Sequence, residues 1–295
     1  MFSQCPPHPE KERARGFVAG TLGLLVAMSS VLATGVGGQE AERSASDVAA
    51  ELANPNTVLG SLSFNFDYTA FGGTLDGAGD QSSFLVSFQP SLPYPLGEGV
   101  NLFLRPNIPV VFDQPVPTES GFSSAGVELG EIGFDLGVGK TFSSGWVLVG
   151  GLVGTLPTAT DERLGKGHFA LGPDALVAKV GSWGAAGLLL THQWDLAGAD
   201  DGEDTSLTGG QYFYTFNLGG GWQIGGSPTF GYDHTAVEGQ RWTFPIGGGV
   251  RKTVILGSTP LRLAGEYWYF LAQADAFGPD WRFRVVVTPV VPLPW

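Results

Sequence analysis

WRFRVVVTPVVPLPW, residues 281–295, is the stretch that decides the fold. Its odd positions, Trp281, Phe283, Val285, Val287, Pro289, Val291, Leu293 and Trp295, form one apolar row. Its even positions begin Arg282, Arg284, Val286 and Thr288. Successive side chains of a strand point to opposite faces, so one face here wants hydrocarbon while the other opens with two guanidiniums. An apolar row with an aromatic at its last residue suits a strand that closes a transmembrane barrel against the first strand. The expectation is an all-β fold, an antiparallel up-and-down barrel of the outer-membrane kind. The remaining chain must supply its partners.

Alternation recurs upstream. Leu62, Phe64, Phe66 and Tyr68 oppose Ser63, Asn65, Asp67 and Thr69; Leu261, Leu263, Tyr267 and Tyr269 oppose Arg262, Ala264 and Glu266. Residues 146–155 and 172–180 are Gly-rich and less regular, and residues 222–233 are weak. Counting such segments gives about twelve strands, an even number as single-chain bacterial barrels have. Short connections are expected at residues 97–99, 143–145, 181–184, 219–221 and 257–260. Longer polar ones are expected at 71–81, 114–126, 157–169, 197–210, 235–239 and 275–280. Short turns on one side and long loops on the other are the rhythm of membrane barrels. Tyr94, Trp146, Trp183, Trp222, Trp242 and Trp281 stand near strand ends, where interface girdles lie.

Composition agrees. Of 295 residues, 46 are Gly, aromatics are 12% and charged residues only 15%, a balance that suits tight turns and lipid-facing strands. Lys11, Arg13 and Arg15 precede an apolar run broken by small residues. Residues 1–38 therefore read as a secretory signal peptide, cleaved after Ala33 or after Gly38. The five glycines of that run weaken the alternative of a helical anchor. Cys5, the one cysteine, would leave with the peptide, so no disulfide framework is expected. The peptide takes three cations and two anions with it, so the net charge of −13 becomes −14, which argues against nucleic acid as a partner. Residues 39–57 form a periplasmic or lumenal leader with one short helix over 46–53, capped by Ser46 or Asp47 and ended by Asn54-Pro55. Residues 58–295 are the barrel.

The stretch LPTATDERLGKGHFALGPDALV at residues 156–177 resembles a pattern LPTATDxxLGxGxxxxGP. That pattern occurs in a group of bacterial outer-membrane proteins labelled phenol meta-pathway degradation proteins or transporters. ELANP (51–55), RPNIPVV (105–111), VELGEIGFDL (127–136) and GPDWRFRVVVTPVVP (278–292) look like its other landmarks, in the same order. The resemblance covers the chain from about Ala49. It implies the barrel fold, the bacterial outer membrane reached through the periplasm, and no catalytic motif. The label in aromatic degradation is an association and brings no site residues.

The inward row is expected to carry Asp67, Arg105, Glu131, Asp135, Gln193, Asp195, Arg241, Arg251, Arg262, Glu266, Arg282 and Arg284. Arginines dominate the last strands and carboxylates the early ones, so Arg282 or Arg284 can meet Asp67 where the last strand pairs with the first. Two readings stay open. The charges form a transverse field that orients a solute, or a paired network that fills a narrow barrel and fixes register. Asp200, Asp201, Glu203 and Asp204 form an acidic loop whose spacing fits no calcium motif, so it reads as a solvated loop and not as a metal site. His168, His192 and His234 fall near strand ends. His192 and Asp195 have opposite parity on one strand, and no nucleophile elbow is present, so a rim hydrolase is the weakest reading.

No cofactor is implied. The expected function is an outer-membrane channel for passive uptake of a small solute, aromatic or otherwise hydrophobic. The alternative is a structural or surface-interaction barrel with a closed lumen. Expected partners are outer-membrane lipid and lipopolysaccharide, the barrel-assembly machinery through the C-terminal strand, and the solute; oligomeric state is left open.

Overall fold

The computed structural model describes residues 43–198 and 204–295. The signal-peptide reading of residues 1–38, and Asp200, Asp201 and Glu203 of the acidic loop, lie outside the described residues.

Twelve strands close into one antiparallel barrel: β1 (Gly60–Gly72), β2 (Ser82–Gly97), β3 (Val100–Asp113), β4 (Ile132–Thr141), β5 (Trp146–Leu156), β6 (His168–Gly181), β7 (Gly184–Gly198), β8 (Ser206–Gly219), β9 in two pieces (Trp222–Gly226 and Thr229–Asp233), β10 (Trp242–Leu256), β11 (Thr259–Ala272) and β12 (Gly278–Val291). Each pairs with the next. The C-terminal strand β12 pairs with β1 in the register Phe64↔Val287 and Asp67↔Arg284, which seals the wall. Closure leaves no strand edge to satisfy.

Parity follows the alternation. Tyr68, Phe84, Leu104, Trp146, Leu152, Leu263, Tyr267 and Phe283 are exposed on the outer face. Asn65, Asp67, Thr69, Thr288 and Glu266 are buried on the inner one. The five short connections gather at one end. Gly145 shows why they are glycine-rich: its φ is 81°, and an added Cβ would stand 2.4 Å from the Val180 carbonyl oxygen.

The weak segment 222–233 is a single strand with a break. Ser227 and Pro228 interrupt it, proline lacking the N–H a ladder needs. The Ser227 N–H donates to the Glu266 carboxylate instead, at 3.1 Å. Several strands run further outward than their sequence signals: β6 begins at His168 and β8 at Ser206. The connection after β3 carries a small hairpin, Pro115–Thr118 against Gly121–Ser124.

The inner face is not uniformly polar. Phe103, Val147, Val149, Leu176 and Ala178 are buried together, with Val180, Leu189 and Phe213 against them. In β5 and β6 both rows are apolar, so alternation does not reveal which one faces inward.

The helix α1 (Ala45–Ala53) starts one residue earlier than expected. Its cap is Ser44, not Ser46 or Asp47: Ser44 Oγ accepts from the Asp47 N–H, and the Asp47 carboxylate accepts from the Ser44 N–H. Ser46 stays free to accept from the Gly221 N–H at the β8–β9 turn. Gln223 donates to the Ala49 carbonyl, Arg262 to that of Leu52, and Asn56 to that of Gly99. The leader is therefore seated in the short-turn mouth of the barrel, with Val48 and Ala49 buried.

At the other end the long connections hold one another. Thr74 and Leu75 donate backbone N–H groups to Asp275 and Ala276, and Phe277 packs on Phe71 and Phe122. Lys166 lies 3.5 Å from Asp233.

Candidate functional site

Above the leader the barrel encloses a cavity of about 560 Å³. Its wall has two halves because strands with different inward rows lie side by side. Val153, Leu176, Leu189 and Phe213, one from each of β5 to β8, form an apolar arc, with Thr155, Thr191 and Gln193 beside them toward the loops. From β10 round to β3, the wall presents Arg251, Arg262, Glu266 and Arg284, then Ser61, Ser63, Asn65, Gln89 and Arg105.

The polar arc is largely paired within itself. Arg284 reaches both carboxylate oxygens of Asp67 at 2.6 Å across the β12–β1 seam. Arg282 donates to Thr69 Oγ1 at 2.9 Å and stands 3.9 Å from Asp67. Both guanidiniums lie over Trp268, which is wholly buried, a contact of electrostatic character. Glu266 accepts from Arg251 at 2.7 Å and from Trp268 Nε1 at 3.0 Å. Arg251 also donates to Thr215 at 2.5 Å. A buried charge requires such partners.

Arg262 differs. It donates to the neutral Leu52 carbonyl at 3.2 Å and makes no ion pair within 4.0 Å among the described residues.

On the facing side, Arg105 and Asp135 are held only loosely, at 4.0 Å, with the guanidinium 4.8 Å over the Phe103 ring. Asp174, 5% exposed, has no hydrogen-bond partner on either carboxylate oxygen among the described residues. It lies against Gly151, where an added Cβ would come within 2.7 Å of its Oδ1. Gln193 reaches the cavity and accepts from Thr155.

Two of the twelve residues expected inward lie outside the strands, and a third faces inward above the cavity. Arg241 precedes β10 and donates to the Ala236 carbonyl in the outer connection. Glu131 precedes β4, and its carboxylate accepts from the Lys166 and Gly167 N–H groups. Asp195 keeps the inward parity of β7, opposite the buried Ala170, but near the exposed loop end, where it accepts from the Thr205 N–H. Parity extrapolated past a strand's end stops predicting direction, because the backbone there is no longer pleated. Trp268, Thr215, Ser227 and Asp174 were missed: the first two share inward rows that alternation could have extended, whereas Ser227 lies in the break and Asp174 in a Gly-rich strand.

His192 and His234 do not meet Asp195. His192 Nδ1 and His234 Nε2 each lie 2.8 Å from Thr208 Oγ1, next to Trp194 and Tyr232 on the outer face. His168 is buried against Thr205. No group of three or more His, Cys, Asp or Glu side chains among the described residues is placed to hold a metal ion.

A closed barrel of twelve antiparallel strands, apolar outside and with a partly charged cavity within, defines the architecture of an outer-membrane β-barrel. Among solved structures, the COG4313 outer membrane channel from Pseudomonas putida F1 is similar, with a TM-score of 0.59 and 15% identity over 79% of this chain and 94% of that one. The NanC porin has a TM-score of 0.48 at 8% identity, over 79% of this chain and 100% of that one. Outer membrane phospholipase A from Escherichia coli has a TM-score of 0.38 at 12% identity, over 84% and 98%. At these identities the likeness is one of fold, and it carries no phenol meta-pathway label. No family model matches the chain, and no curated protein does.

Proposed function

We propose that this protein is an outer-membrane channel, reached through the periplasm, for passive uptake of a small aromatic or otherwise hydrophobic solute. It acts without catalysis. The observation that carries this reading is the 560 Å³ cavity inside a closed wall, one arc apolar and the other polar. A volume of this order suits a small organic molecule. An aromatic body finds Phe213 with Val153, Leu176 and Leu189, while its polar group faces the arginine side. Selectivity then comes from lumen width, wall charge and the outer connections. The aromatic association of the family resembled in sequence points the same way. In this reading the outer belt meets lipid and lipopolysaccharide, and the β12 row serves the assembly machinery.

One observation favours a second reading, a structural or surface-interaction barrel with a closed lumen. The leader is tied into the short-turn mouth by Gln223, Arg262, Asn56 and Asn101. Reconstitution in liposomes with a panel of small solutes, with and without residues 39–57, separates the two. Passage by either form supports the channel. Passage by neither, above the background of empty liposomes, rejects it.

A further inference from the structure

We propose that the cavity is an organic-acid site, with Arg262 holding the carboxylate and the apolar arc holding the body of the solute. The inference rests on the channel reading for its biological sense, and names the solute class that reading leaves open.

The first step is where each guanidinium spends its donors. Arg284 commits Nε and Nη2 to Asp67. Arg251 commits one terminal nitrogen to Thr215 and the other to Glu266. Arg282 lies behind Arg284, on Thr69 and Asp67. Arg262 has one neutral acceptor, the Leu52 carbonyl, for a group with five N–H donors. The nearest carboxylate in its arc, Glu266, is already occupied by Arg251, Trp268 and Ser227. Arg262 thus carries a charge, with donors to spare, on the cavity wall.

The second step is the sign of the wall. Four lining arginines (105, 251, 262 and 284) face two lining carboxylates, Asp135 and Glu266. Counting the residues directly behind them, Arg282, Asp67 and Asp174, the excess is still positive. An anion is favoured inside such a wall. Asp135 stands on β4 beside the apolar arc, with Asp174 of β6 behind it, so an acid that enters is repelled from Arg105 and directed toward Arg262. A carboxylate leaving water needs a charged, forked donor. Arg105 also has donors to spare but stands 4.0 Å from Asp135; Arg262 is the lining guanidinium that combines spare donors with no carboxylate within 4.0 Å among the described residues.

The third step is the remainder of the solute. Across the cavity, Phe213 with Val153, Leu176 and Leu189 offers an apolar surface to a ring or short chain. Neutral hydrophobic molecules would use that arc and leave Arg262 unsatisfied; organic cations would meet the excess positive charge.

The test uses the full chain in planar bilayers, with benzoate and benzylammonium as probes of similar ring size and opposite charge. The expected result is anion selectivity, with benzoate more permeant than benzylammonium. Arg262→Gln should reduce that ratio about tenfold, the scale of one charge-assisted hydrogen bond, while Arg262→Lys should keep most of it. Because Lys can also donate to the Leu52 carbonyl, a purely structural latch predicts no change in the ratio for either variant. Calorimetric titration of the detergent-solubilised protein with sodium benzoate reads the site apart from transport. Saturable binding lost in Arg262→Gln, with no ion flux, would uphold the site and reject the channel. Cation-selective wild-type currents, or a ratio and a titration both unchanged in Arg262→Gln, would overturn the proposal. If Arg262→Gln fails to give the heat-modifiable folded form, the wild-type selectivity and the Lys variant decide.

Discussion

Two arginine–carboxylate pairs in this molecule have nearly the same length and opposite surroundings. Arg251 and Glu266 meet at 2.7 Å inside the barrel, with side chains 10% and 2% exposed. Arg163 and Asp161 meet at 2.5 Å in the connection between β5 and β6, with side chains 42% and 15% exposed. Geometry alone would rank them together. Screening separates them: attraction between unit charges rises as the local dielectric falls, and so does the cost of leaving one of them alone. The inner pair is a condition for folding this wall, while the outer one is a local brace.

The largest effect expected from this difference is in Glu266→Ala. The substitution strands Arg251 and removes the acceptor of Trp268 Nε1 and of the Ser227 N–H at the β9 break. Breaking one side of a buried pair costs about 3–5 kcal/mol. Urea-induced unfolding in detergent or lipid should show it. A loss below about 1 kcal/mol, the surface-pair scale, would mean cavity water screens the pair as bulk water does.

Next comes a charge placed on the wrong side of one strand. Leu263 faces outward on β11 and is 43% exposed. It is level with Val287 and Phe64, between Tyr94 near the short turns and Tyr267 toward the loops. Leu263→Arg should cost about 2–4 kcal/mol near the bilayer midplane. Arg262→Leu, one residue away on the inner face, should cost clearly less, since Glu266 keeps its Arg251 partner. Equal losses in the same unfolding assay would reverse the assigned faces.

These substitutions also mark how far alternation can be read. On β1, β11 and β12 one row is apolar and the other polar, so both the lipid face and the Asp67–Arg284 seam were legible before any coordinates. On β5 and β6 the inward Val147, Val149, Leu176 and Ala178 look like outward residues, and the period carries no sign. Arg241 and Glu131 fail for a different reason: each sits beyond a strand end, where hydrogen-bond demands of the loops decide direction. The two-arc cavity required neighbours in space, since its apolar residues come from four successive strands, one apiece.

A smaller effect is expected at the leader. Ser44→Ala removes the acceptor for the Asp47 N–H and half of the capping box, worth about 0.5–2 kcal/mol to a helix. The barrel should keep its unfolding midpoint, while amide exchange in α1 rises several-fold. Unchanged exchange would mean that the bonds from Gln223, Arg262 and Gly221 hold α1 without its cap.

The smallest effect belongs to the outer pair, and pH is the way to see it. The Arg163 side chain, then its backbone N–H, hold the Asp161 carboxyl down at about 2. A carboxyl depressed below its unfolded value contributes stability that is full above the unfolded value, near 3.8. That contribution is lost as pH falls toward about 2. The brace should therefore be intact at neutral pH and released in that acid window, with the barrel wall still closed. Exchange of the Arg163 amide, corrected for its intrinsic acid dependence, should rise through the window. Asp161→Asn should remove the step and leave the unfolding midpoint at neutral pH within the scatter expected of a surface change. If the variant instead lowered that midpoint as Glu266→Ala does, exposure would not be what separates the two pairs, and the connection between β5 and β6 would belong to the wall.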